Sequence, residues 1–194
     1  MIQLVKIATI LPYKENYTFQ KAQAAAIWVC DFFKYSKFKN TNFIFGNTKG
    51  NDYLTKNYIN ISINNLKSKF SSSTNEYCKN FIKKTKNDNF DIIEIHNRPL
   101  VFNYLKKEID SKYILYFHND PLSMNGSKTI NERLKLLDEL DKIIFVSKWV
   151  QNRFFEKLDD KLINKTEVVY PSIHKEKKIF NKEKKITFVG KLNE

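Results

Sequence analysis

Two copies of one short pattern hold most of the residues able to do chemistry. His96-Asn97-Arg98-Pro99 closes the apolar run Asp91 to Ile95, and His118-Asn119-Asp120-Pro121 closes the run Tyr113 to Phe117. Histidine can donate, accept or change charge near neutral pH. Asparagine offers donors and an acceptor to a hydroxyl, and arginine a fork of donors to a phosphate or carboxylate. Together they suit a polyhydroxylated, phosphate-bearing molecule. Each also has a plainer use: Asn97 and Asn119 in turns, His96 and His118 as hydrogen-bonded structural groups. His118 has the stronger claim on chemistry, because Asp120 and Pro121 make a rigid, aimed turn behind it.

Those positions matter only if their elements bring them together. Gln3 to Leu11 reads as a first strand, Phe43 to Gly46 as a second and Tyr58 to Ile63 as a third. Asp91–Ile95, Tyr113–Phe117, Lys142–Val146 and Glu167–Tyr170 read as four more. Between them lie helical patterns. Ala22, Ala25, Ala26, Val29, Cys30 and Phe33 share one helix face, with Thr18 as its cap. The alanines there admit either tight helix-on-sheet packing or the close approach of a backbone or ligand. Leu66 to Asn75 reads as mobile, with Ser73-x-x-Glu76 as a capping box, and Thr129-x-x-Glu132 is a second. Pro99 suits a helix's first turn, and Ser147 a helix N-cap. Strands alternating with helices predict α/β: a Rossmann-like, doubly wound, mostly parallel sheet. In such sheets ligands bind beyond the carboxyl ends of the strands. Lys14-Glu15-Asn16, Gly46-Asn47, both His-Asn pairs and Ser147-Lys148 fall there. Candidate binding residues are therefore Glu15, Asn16, His96, Asn97, Arg98, Asn119, Asp120 and Ser147, with His118 the candidate for catalysis.

The chain has 194 residues, 42% of them hydrophobic, and a formal net charge of +13. That length can bury a core. The charge admits nucleic acid, an anionic membrane or a phosphate-bearing substrate as partner, or simply a solvated surface. Specific nucleic-acid reading is disfavoured, because arginine occurs only at positions 98, 133 and 153 and the remaining basic residues are lysine. A basic α/β module that binds nucleic acid or anionic membrane without catalysis remains the alternative. Cys30 and Cys78 each fall in a helical pattern and read as buried free thiols, which implies a cytoplasmic setting. No apolar run approaches the ~20 residues of a membrane span. The usual dinucleotide, P-loop, nucleophile-elbow and zinc patterns are missing.

The ordered set of segments resembles the N-terminal half of glycosyltransferase family 4, enzymes of the GT-B fold. It comprises Ile10-Leu11-Pro12…Glu15, Asp91 to Pro99, Phe117 to Pro121 with Met124-x-Gly126, Glu132-Arg133, Ile143 to Ser147, and Phe188-Val189-Gly190-Lys191-Leu192. The nearest likeness is to bacterial hexosyltransferases that build lipopolysaccharide core or other envelope sugars. The resemblance implies retaining transfer of a hexose from a nucleotide-sugar to a glycan or lipid-linked acceptor, with no cofactor and no metal. It places His118 beside the transferred sugar and the other strand-end residues around the acceptor. Gly190 and Lys191 would meet the donor, although the family has arginine where this chain has Lys191. It also implies three parts: an acceptor-binding domain over 1–172, a linker over 173–185, and the first strand of a truncated nucleotide-sugar domain over 186–194. The chain alone would then lack most of its donor site and be inactive. A lipid-linked acceptor would bring it to the anionic inner face of the cytoplasmic membrane as a peripheral protein.

Overall fold

The computed structural model describes residues 4–63 and 72–171. Seven strands form one sheet in the order β3-β2-β1-β4-β5-β6-β7. They are β1 (Ile7–Ile10), β2 (Asn42–Gly46), β3 (Tyr58–Asn60), β4 (Ile92–His96), β5 (Lys112–Phe117), β6 (Lys142–Phe145) and β7 (Thr166–Val168). Every pairing is parallel. Five α-helices connect them: α1 (Ala24–Tyr35), α2 (Ser73–Lys84), α3 (Pro99–Leu105), α4 (Ile130–Glu139) and α5 (Lys148–Phe155). This is the doubly wound Rossmann-like α/β fold that the alternating pattern predicts.

Parallel strands covered on both faces read as continuous apolar runs, and β1 is buried at all four positions. On one face, side chains of α2, α3, α4 and α5 pack into a single core around Phe45, Ile93, Leu115 and Phe145. On the other face α1 sets Ala26, Val29 and Cys30 against Leu11, Ile44 and Tyr116. Both cysteines are free and buried. No described helix is long and apolar enough to cross a membrane.

Three local expectations need correction. Helix α1 begins at Ala24, and Thr18 does not cap it. Thr18 is buried, and its carbonyl accepts from the Ala22 N–H (2.9 Å) in a turn before the helix. The cap of α2 is Ser72, one residue earlier than the capping-box pattern suggested, with its hydroxyl accepting from the Asn75 N–H. Residues 73–75 are therefore helical, while 66–71 lie outside the described residues. By contrast, Thr129 and Glu132 form the reciprocal capping box as read. The proposed linker and the run 186–194, including Gly190 and Lys191, also lie outside the described residues.

Candidate functional site

The two His-Asn-x-Pro segments end neighbouring strands. In the β4–β5 register His96 lies opposite Tyr116, so His118 stands two residues further along. Side chains two apart on a strand share a face. The stagger of two therefore keeps both histidines on the α1 side and lets the rings meet. Nδ1 of His96 lies 2.8 Å from Nε2 of His118. His96 also stacks on Tyr116, with ring centres 4.5 Å apart and planes 10° from parallel. Trp28 of α1 presents its ring edgewise to His118 at 5.2 Å.

That contact holds one proton when both rings are neutral. His96 is 1% exposed, and its Nε2 has no partner among the described residues. A buried N–H without an acceptor is rarer and costlier than an under-used lone pair. The proton therefore belongs on His96 Nδ1 and is donated to His118 Nε2. His118 then carries its own proton on Nδ1. Burial lowers the pKa of both rings: His96 well below its usual value, with the charge of a protonated His118 adding to the effect, and His118 to about 4. At neutral pH the pair is uncharged, and His118 is a neutral donor.

The asparagines tie the strand ends together. Asn97 is buried and adopts a left-handed φ of 53°, which asparagine tolerates better than most residues. Its N–H donates to the Tyr116 carbonyl, and its Oδ1 accepts from the His118 N–H at 2.7 Å. Its amide nitrogen makes a longer 3.4 Å contact to Asn119 Oδ1.

On the α3 side these ends border a cavity of about 450 Å³. Asn97, Arg98 and Asn119 line it, with Tyr13, Met124 and Lys128. Arg98 lays its guanidinium over Tyr13, 5.7 Å from the ring centre, and donates to the Asn97 carbonyl. The turn after β5 completes its wall. It is held by Gly126, whose φ of +92° suits glycine and where an added Cβ would lie 3.1 Å from both Pro99 and Leu100. Arg133, buried, holds the same turn by donating to the carbonyls of Ser127, Lys128 and Glu156.

Of the predicted site residues, Asn97, Arg98 and Asn119 meet at this cavity, and His118 adjoins it through Asn97. The others are occupied elsewhere. His96 lines a second cavity of about 350 Å³ beneath α1, with Trp28, Phe32 and Glu94. Glu94 accepts from Thr9 (2.7 Å) and Tyr116 (3.3 Å), and burial raises its pKa. Glu15 turns its carboxylate to the Ala26 N–H at the start of α1. Burial raises its pKa, while the Ala26 and Ala25 N–H groups and Arg98 lower it. The group that approaches the alanine-rich turn is thus a side chain of this protein. Asn16 accepts from the Lys49 N–H at 3.4 Å. Asp120 caps the 3-10 turn Pro121–Ser123 through the Leu122 N–H and pairs with Arg153 at 3.1 Å. Ser147 is the N-cap of α5, accepting from the Val150 N–H.

Sequence reading missed Trp28, Tyr116, Tyr13 and Lys128. Tyr116 was findable, being two residues before His118 in a strand and so on the same face. The other three come close through the path of the loops and the seating of α1, which no local pattern encodes.

A seven-stranded parallel sheet with strand-end loops forming a polar crevice defines a Rossmann-like α/β domain. Among solved structures it is similar to a sucrose-phosphate synthase from Thermosynechococcus elongatus, with a TM-score of 0.53 at 10% identity, covering 78% of this chain and 82% of that one. At that identity the likeness is one of fold. No family model and no curated protein matches the sequence.

Proposed function

We propose that this chain is the acceptor-binding domain of a retaining glycosyltransferase. The single observation that carries the reading is the joined pair of strand ends. They set a neutral histidine donor beside asparagine amides and an arginine, at the carboxyl edge of a GT-B-type sheet. Amides of this kind hold and orient sugar hydroxyls. As the bond from sugar to departing nucleoside diphosphate lengthens, positive charge grows at the sugar ring and negative charge on the leaving group. A donor fixed in advance stabilises such a state without having to reorganise. His118 is suited to this through Nδ1–H, with its ring held by His96 and its backbone by Asn97.

The finer assignments belong to the same proposal: family 4, a hexose donor, and an envelope glycan or lipid-linked acceptor such as lipopolysaccharide core. So do Gly190 and Lys191 at the donor, and work at the inner face of the cytoplasmic membrane. The family resemblance and the +13 charge support them.

Sugar transfer by the full gene product tests the reading, followed as nucleoside diphosphate released in the presence of acceptor. His118→Ala is expected to lower turnover about 10²–10³-fold while circular dichroism shows the fold intact. Wild-type turnover in that variant, or no transfer with any nucleotide-sugar tried, contradicts it.

A further inference from the structure

The lining of the 450 Å³ cavity is unequal in charge. It contains two cations, Arg98 and Lys128, and three asparagines, Asn97, Asn119 and Asn125, but no aspartate or glutamate. The nearby acids are already engaged. Glu15 accepts from the start of α1, and Asp120 is shared between the Leu122 N–H and Arg153. Arg98 makes no direct ion pair with a carboxylate among the described residues, although its charge reaches Glu15 and lowers that group's pKa. Its one hydrogen bond goes to a backbone carbonyl and its face to Tyr13, so most of its five N–H donors are free. Lys128 is exposed and makes no ion pair among the described residues. Its backbone is nonetheless fixed, because Arg133 donates to the Lys128 carbonyl at 2.9 Å. The two cations thus line one concavity, the first at the head of α3 and the second in the turn after β5.

From this we infer that the cavity selects an acidic saccharide: an acceptor whose phosphate or carboxylate group binds between Arg98 and Lys128 while its hydroxyls meet the asparagine amides. The inference rests on the acceptor-binding reading and narrows it. Charge-assisted hydrogen bonds are about twice as strong as neutral ones, so an acid here gains what a neutral sugar cannot. The asparagines leave the reacting hydroxyl uncharged and oriented, and the cations recognise the acid apart from it.

The test is binding of four probes to this chain by titration calorimetry and amide NMR: a hexose 6-phosphate, a hexuronic acid, the neutral hexose and inorganic phosphate. Either acidic hexose is expected to bind about tenfold tighter than the neutral one, with shifts at Asn97, Arg98, Asn119 and Lys128. Whichever binds tighter identifies the acid. Lys128→Gln, an exposed change that leaves the fold intact, is expected to remove about fivefold of the preference for the acidic hexoses. Arg98→Gln should remove as much or more. Equal affinity for neutral and acidic hexose overturns this inference and leaves the acceptor reading in place. Binding of inorganic phosphate without any hexose, or of no probe at all, overturns both.

Discussion

At the end of β4 the histidine is the last residue of its strand and is 1% exposed; at the end of β5 it stands one residue past the strand and is partly open. The asparagines differ likewise: Asn97 is buried with a left-handed backbone, and Asn119 is exposed. The third residue differs in kind. Arg98 is left free to face the cavity, whereas Asp120 is consumed in capping a turn and pairing with Arg153. Both prolines open helical turns, α3 and the 3-10 turn at Pro121. One tetrapeptide thus yields a supporting end and a presenting end. What separates them is register: a stagger of two residues puts the second histidine beyond the sheet edge on the same face. A stagger of one would have sent the rings to opposite faces.

The sharpest way to break this contrast is to remove the same side chain from each end. Asn97→Ala loses the bond to the His118 N–H and forces alanine into a left-handed backbone. The expected cost is about 2–4 kcal/mol, read from urea unfolding. Asn119→Ala is expected to stay within about 0.5 kcal/mol. Equal costs would mean that the two ends are not distinct.

Acid should weaken the supporting end next. Both histidines have folded pKa values below the unfolded value near 6.5, with His118 at about 4. Below pH 6.5 the unfolded chain therefore binds protons that the folded one refuses, and stability falls as pH drops towards 4. Glu15 and Glu94, whose pKa values are raised, act the other way: their contribution is fullest in acid and is lost as pH rises through their folded values. Between pH 7.5 and 4.5 the His118 shift alone is expected to lower stability by about 2–3 kcal/mol. Replacing both histidines with phenylalanine should abolish the loss in acid and leave the opposite dependence of Glu15 and Glu94.

A smaller contrast lies in the third position. Asp120→Ala removes a turn cap and a half-exposed ion pair, about 1–2 kcal/mol. Arg98→Ala removes its stacking on Tyr13 and its hydrogen bond to the Asn97 carbonyl, together about 0.5–1 kcal/mol. Thermal melts of the two variants should rank in that order.

Much of this was legible before the structure. Alternating apolar runs and caps specified the α/β class, and ordering the strand ends placed His118, Asn97, Arg98 and Asn119 together. Glu15, Asn16, Asp120 and Ser147 were legible only as polar residues at strand ends. Each turned out to be occupied by backbone N–H groups, a use that composition cannot separate from ligand binding. Contact between the histidines depends on a register between strands 22 residues apart in sequence, and the role of Trp28 on where α1 seats. Such long-range geometry leaves no local mark.

The central claim is that burial keeps His118 neutral while the bond from His96 fixes its proton on Nδ1. Long-range ¹H–¹⁵N NMR of the histidine rings, followed through pH, reads both tautomer and pKa. The prediction is protons on Nδ1 of both rings and a His118 that stays uncharged until about pH 4, rising in His96→Phe, where the donated bond is gone. A His118 that titrates near 6.5, or carries its proton on Nε2, would contradict it.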